Sequence, residues 1–393
     1  MDVINLDHNA TTSVRAEVIE AMSAYMRLGY GNPASAHRLG AKARQVLEDC
    51  RRAIADILGA SLSNFPPDRV IFTSGGTEAN NLAILGIARA MAEQAEETVL
   101  GRGHQIVISA MEHASVLEAA EHLLECGWRL DTVGATSGGV LRLDQLESFL
   151  TPQTRLVSVM LANHETGVIQ PVREVVDICA KRGIPVHTDA VQAVGKMPVN
   201  FQELGVAAMS IAAHKFHGPP GIGALICRGD LPLKPIHFGG HQQDGFRPGT
   251  EPVALVVGMR TALELWQKEA AEAAAKLHAL RRRFEAGLKQ ALPEIVIHGE
   301  DAPRLPHTSN IAFPGLEAQL LFVALDSVGV ACSIGSACAS GAAEPSPTLR
   351  AMGLPKELVN SSLRFSLGTT NTEAEIDEAV RRIVAMVKRL RRK

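Results

Sequence analysis

From about residue 16 to residue 250 the chain alternates short apolar runs with stretches of helical spacing. That alternation constrains the fold more than any other feature. Parallel strands need long crossovers, and helices in those crossovers must bury one face on the sheet. The pattern therefore predicts a mostly parallel sheet covered on both sides. The apolar runs are Arg69–Phe72, Gln105–Ser109, Arg155–Met160, a short run within 181–192, Val206–Ile211 and Ile222–Cys227. Helical spacing covers Glu17–Leu28, Arg38–Leu58, a stretch from Thr77 to about Met91, and Val172–Arg182, which Gly183 closes.

Ligands of such sheets sit beyond the carboxyl ends of the strands. Ser210–Gly223, SIAAHKFHGPPGIG, reads as strand, turn, strand, with Lys215 at the turn and little other charge beside it. A lysine there can be buried, and a neutral amine forms Schiff bases; the competing reading is a solvated loop lysine. Lys181–Gln192, KRGIPVHTDAVQ, puts Asp189 just beyond a short buried strand. Together the two residues match what pyridoxal 5'-phosphate (PLP) needs. A lysine holds the aldehyde, and a carboxylate keeps the pyridine nitrogen protonated. Thr73–Glu78, TSGGTE, follows a strand and opens a helix, so Thr77 and nearby backbone N–H groups could face a phosphate; plain helix capping is the alternative. His113 follows the run ending at Ser109, and Asn163 and His164 follow the run ending at Met160. Each has an ordinary packing role available, and their convergence on one edge is what argues for a site.

The 393 residues suffice for two domains, and 46% hydrophobic with 21% charged residues is an ordinary globular composition. A net charge of −3 argues against bulk binding to nucleic acid, and no apolar run is long enough for a membrane span. The start, MDVINLDHNATT, lacks a secretion signal, and six cysteines without C-x-x-C spacing fit reduced cytoplasmic thiols. Polar, glycine-rich His237–Pro252 predicts a loop that crosses a boundary between subunits. Val253–Leu292 reads as one long helix leading to a smaller α/β unit. Its expected pieces are strands at Ile295–His298, Ser309–Phe313 and Ser362–Ser366, and helices at Leu316–Val328 and from Thr372. The terminal KRLRRK is expected to be a solvated helix end, with an RNA contact as the alternative. In Val330–Gly341, VACSIGSACASG, small residues around Cys338 predict a mobile surface loop presenting an accessible thiol; Cys332 ends an apolar run and reads as a packed residue.

These segments carry a resemblance over nearly the whole chain. LDHNATT, GNPAS, FTSGGTEANN, Glu112-His113, NHETGVIQP, HTDAVQAVGK, AHKFHGPPGIGAL, FRPGTEPV, GSACASGAAEPS and SSLRFSLG are similar to the cysteine desulfurases of the NifS/IscS type. Those are class V, fold-type I PLP enzymes. The resemblance implies an α/β fold with a mostly parallel seven-stranded sheet in a large domain, residues 16–255. A smaller α/β domain would comprise 1–15 and 256–393 and carry the Cys338 loop and Arg364. It also implies a cytoplasmic homodimer converting L-cysteine to L-alanine, with sulfur passing to Cys338 as a persulfide and on to an acceptor such as an iron–sulfur scaffold.

Site roles follow by the same resemblance. Lys215 would bind the cofactor aldehyde and move the Cα proton. Asp189 would pair with the pyridinium, and His113 would stack on the ring and assist proton transfer. Gly76, Thr77 and His214 would hold the phosphate, joined by Thr250 of the partner subunit. Gln192 and His164 would lie near O3′. Arg364 would bind the substrate carboxylate with help from Asn32, and Cys338 would attack the substrate sulfur. No resident metal is implied, although Cys338 could transiently ligate an iron–sulfur cluster. Three positions depart from the family pattern: Ala212 replaces a common Ser, His164 a common Asn, and Pro220 a frequent Lys. A selenocysteine lyase or another class V aminotransferase is the neighbouring reading, and a non-catalytic sulfur carrier is the more distant one.

Overall fold

The computed structural model describes residues 2–29, 31–94, 103–335 and 345–392. Its centre is a seven-stranded sheet. In chain order the strands are β1 (Arg69–Thr73), β2 (Gln105–Ser109), β3 (Arg129–Val133), β4 (Thr154–Ser158), β5 (Val186–Asp189), β6 (Ala208–Ala212) and β7 (Gly223–Cys227). Across the sheet they run β1-β7-β6-β5-β4-β2-β3. Only β7 is antiparallel to its neighbours, β1 and β6. Every other pairing is parallel. Strands β2, β5, β6 and β7 are buried along their whole length, which explains their unbroken apolar or small-polar runs. Strand β3 went unread in the sequence because it is an edge strand with only Val133 buried. Its Asp131 instead accepts a hydrogen bond from buried Gln105 at 2.6 Å.

Helices α1 (Gly76–Gln94) and α2 (Ala114–Glu125) start directly beyond β1 and β2. Their first turns thus face the edge where β5 and β6 end in Asp189 and Ala212. The expected long helix, α3, spans 39 residues, Val253–Ala291. It joins two cores. Val256, Met259 and Leu263 pack with the inner residues of the large sheet. Leu277, Leu280, Phe284 and Leu288 enter a second core with Ile311, Leu363 and Phe365.

That second core lies on an antiparallel sheet of β8 (Val296–His298), β9 (Thr308–Ala312) and β10 (Ser362–Ser366), with β9 in the middle. Helix α4 (Glu373–Arg391) covers it and starts in a capping box between Thr372 and Glu375. The basic end of this helix includes Arg391, which pairs with Glu294. The N-terminal segment belongs to the same core. Ile4 and Leu6 are buried in it, and Ile4–Asn5 pairs with Val330–Ala331. From there the chain passes to the large sheet, where Thr12 N–H donates to the His214 carbonyl at 2.9 Å.

Phe284 is fully buried against Phe365, with ring centroids 5.1 Å apart. Phe284→Ala is expected to cost about 3–5 kcal/mol. Urea unfolding checks this; a loss under about 1 kcal/mol would mean the second core does not depend on this anchor.

Candidate active site

The strand ends do converge. Lys215 ends a one-turn 3₁₀ helix, Ala213–Lys215, directly after β6. Its Nζ donates to the carbonyls of Asn9 at 2.6 Å and Ala10 at 2.9 Å. Gln192 Nε2 donates to the same Asn9 carbonyl at 3.1 Å. The side chain of Asn9 is buried and fixed on every side. Its Nδ2 donates to the His164 carbonyl and to Thr308 Oγ1, and its Oδ1 lies 2.7 Å from His307 Nε2. Asn9 thereby links the lysine turn, the loop after β4 and the start of β9.

Asp189 ends β5 with both oxygens engaged. Oδ2 accepts from Asn80 Nδ2 at 2.7 Å and Oδ1 from Val191 N–H at 2.9 Å. Asn80 also donates to Ser115 Oγ, which lies 2.8 Å from His113 Nδ1. His113 caps α2, its Nδ1 accepting from Ser115 N–H at 3.1 Å. That acceptor role puts the proton of the neutral ring on Nε2. Burial, with help from the charge of Lys215, lowers the His113 pKa against the opposing pull of Asp189. His113 meets His164 edge to face, with ring centroids 5.5 Å apart. Burial, then the neighbouring His113, Arg364 and Lys215, hold His164 well below the usual imidazole range, so it is neutral too. The resulting site has one carboxylate, uncharged imidazoles and an amine.

Beyond β1, α1 begins at Gly76 with Thr77 exposed, and a Cβ placed on Gly75 would meet no atom within 4 Å. A Cβ on Gly76 would come within 2.8 Å of Val191 and 3.5 Å of the Ala212 Cβ, so Ala212 faces the helix start without a hydroxyl. His214 Nδ1 lies 3.2 Å from Thr11 Oγ1. Burial and the charge of Lys215 push His214 down to about 4.

Arg364, on β10, is buried and reaches across from the second core. Nη2 donates to Asp7 at 2.7 Å and Nη1 to the His164 carbonyl at 3.1 Å. Around this centre Gln192 Oε1, His164 Nδ1 and Arg364 Nε are buried without a protein partner. Polar atoms placed so suit a polar ligand.

Two expected residues stand apart. Asn32 folds onto its own loop, its Oδ1 accepting from Ala34 N–H at 2.9 Å. Thr250 is exposed in a groove with Glu78, His237 and Arg247. Cys338 lies outside the described residues. The chain on either side of its segment meets at Glu165: Ser346 Oγ donates to Glu165 Oε2 at 2.7 Å, and a Cβ on Gly335 would come within 2.4 Å of the same oxygen. Cys332 is packed as expected, its thiol pushed up to about 12 by burial. No cluster of three or more His, Cys, Asp or Glu residues is placed to hold a metal among the described residues, and no described helix is long and apolar enough to cross a membrane.

Sequence reasoning missed Asn9, Asn80, Glu112 and Lys196. Nothing in their local windows sets Asn9 and Asn80 apart from ordinary turn and helix residues, and only burial exposes them as connectors. Lys196 corrects the expectation of little charge beside Lys215, for its buried amine donates to the Lys215 carbonyl at 2.7 Å.

The aminotransferase class-V family matches residues 4–379. A cysteine desulfurase of Nostoc sp. strain PCC 7120 is 40% identical over 391 residues, which cover 100% of this chain and 94% of that protein. A solved NifS-like protein superposes with a TM-score of 0.88 at 34% identity, covering 98% of this chain and 99% of its own. A structure of SspA in complex with cysteine gives a TM-score of 0.76 at 27% identity, covering 94% and 99%.

Glu112 is buried, with Oε1 accepting from Met160 N–H at 2.6 Å. Burial, reinforced by Asp189, raises its pKa well above the usual value near 4.5. The folded chain therefore keeps this proton where the unfolded chain releases it. The contribution of Glu112 to stability must fall as pH rises above that value, by up to about 1.4 kcal/mol per pH unit, until the folded group itself ionises. Glu112→Gln keeps the acceptor for Met160, and its stability advantage over wild type should grow from pH 5 to pH 7. Equal urea midpoints at both pH values would contradict a protonated Glu112.

Proposed function

The chain belongs to the class-V aminotransferase family and, within it, to the cysteine desulfurases, and we propose that it converts L-cysteine to L-alanine with the sulfur passing to Cys338. The observation that carries the site assignment is the junction at Asn9, which draws Lys215, Gln192 and the His164 loop together. The residues fit PLP. Gly76, Thr77 and His214 would hold its phosphate, Asp189 its pyridine nitrogen, His113 one ring face, Gln192 and His164 its O3′, and Lys215 its aldehyde carbon. With Ala212 in place of a hydroxyl, Thr77 and His214 would carry more of the phosphate contact. When bound, PLP supplies an electron sink for the carbanion formed as Cα loses its proton.

The chain's own groups do the rest. Lys215 Nζ takes and returns the Cα proton, and the carbonyls of Asn9 and Ala10 suffice to orient the two N–H bonds of a neutral amine. His113, neutral with its proton on Nε2, offers a second proton donor. Arg364 is pre-aimed by Asp7 and the His164 carbonyl, and its remaining donors suit a carboxylate. The Cys338 thiolate attacks the substrate sulfur. The new S–S bond forms as the Cβ–S bond breaks, and the electron pair returns to the carbon skeleton that leaves as alanine.

The assembly and setting belong to the same proposal. Residues 16–255 form the large domain, with 1–15 and 256–393 as the small one. The enzyme is a cytoplasmic homodimer in which Thr250 of the partner subunit completes the phosphate site. An iron–sulfur scaffold or similar protein accepts the sulfur.

Cys338→Ala should retain bound PLP and lose at least about 100-fold in alanine formation from cysteine, measured with a reductant present. Undiminished alanine formation would instead indicate direct expulsion of the chalcogen, as in a selenocysteine lyase. Arg364→Ala should raise KM for cysteine roughly 100-fold while PLP affinity changes less than threefold. Equal losses in both would remove Arg364 from the substrate site.

A further inference from the structure

Lys196 lies in the turns that follow β5 and is only 8% exposed. Its Nζ passes beneath the turn after β6 and donates to the Lys215 carbonyl at 2.7 Å. The turn it holds is tight. His217, two residues on, takes a φ of 65°, a conformation that non-glycine residues adopt only when their surroundings hold them there. Thr12 braces the same turn, its Oγ1 accepting from His217 N–H at 2.7 Å and donating to the His214 carbonyl at 2.9 Å.

The groups facing Lys196 come from every side. His8 belongs to the N-terminal segment, His217 to the turn itself and His307 to the approach to β9. The charge of Lys196 helps to lower the pKa of each, after burial. Arg15 and Glu269 line the small cavity that Lys196 and His217 also border, and the Glu269 carboxylate is tied to Arg15 at 2.5 Å. Asp7, beside His8, is held by Arg364. The nearby carboxylates are thus engaged elsewhere. Burial, then the charge of Lys215, pushes Lys196 down to about 8. Coulomb interaction is mutual, so a charged Lys196 equally disfavours a proton on the Lys215 nitrogen.

We propose that Lys196 is a positioning residue for the desulfurase reaction, fixing the turn that aims Lys215 and, by like charge, keeping the Lys215 nitrogen ready to shed its proton. This rests on Lys215 being the lysine that binds the cofactor. The role suits a base that must be neutral near neutral pH while half-buried among carbonyls that would otherwise favour its protonated form.

The test is a pH titration of the near-visible absorption of the PLP-loaded enzyme. Lys196→Met removes the charge at nearly constant volume, and its midpoint should rise by about one pH unit, the size a nearby like charge produces. Lys196→Arg keeps the charge and the donor, and its midpoint should lie at or below that of wild type. An unmoved midpoint in a folded Lys196→Met enzyme overturns the proposal even if turnover falls, and so does an equal rise in both variants. If Lys196→Met does not fold, Lys196→Arg still decides, because a midpoint above wild type contradicts a role for charge. Lys215→Ala is the control. Absorption that survives it removes the Lys215 assignment, and the proposal with it; absorption lost there makes any failure specific to Lys196.

Discussion

The carbonyl of Asn9 accepts from Lys215, and much of the molecule is arranged to make that contact. The segment that supplies it starts in the second core, where Ile4 and Leu6 are buried, and ends on the large sheet, where Thr12 meets His214. Asn9 is the crossing point, and it can be correctly placed only when both cores have formed. A lysine anchored to its own sheet would be independent of the second core. Here Lys215, Arg364 and the His164 loop share one junction, so assembly of the site is coupled to docking of the two parts of the chain.

Burial then sets the charge pattern. His113, His164 and His214 are each driven toward the neutral form mainly by desolvation, with Lys215 adding to it. Glu112 is driven toward its neutral acid by burial and Asp189. Few groups in the site therefore carry charge at neutral pH, and those that do have fixed partners. In a weakly polar enclosure such preorganised charges act on a ligand more strongly than they would in water.

The departures from the family pattern read differently once placed. Ala212 faces Gly76 at the start of α1, so the missing hydroxyl matters only to an anion bound there. His164 leaves Nδ1 buried and unpartnered while its ring packs against His113. An imidazole can hydrogen-bond a cofactor oxygen from that position much as an amide would, and it adds an aromatic contact an amide lacks. Pro220 is exposed at the far side of the lysine turn.

The sequence by itself determined the sheet and the long helix. Period and apolar runs report burial, and strands buried on both faces leave strong runs, as at β2, β6 and β7. The polar residues at their ends were legible because strand direction alone fixes which end they occupy. Edge strand β3 left no such run, since its outer residues meet water. What only the tertiary structure decided are contacts between segments far apart in the chain: Asn9 to Lys215, Asn80 to Asp189, Arg364 to Asp7, and Lys196 under the lysine turn. Asparagine and lysine in a local window look like caps and solvated surface. Their roles appear only when folding removes water and leaves one carbonyl or carboxylate within reach.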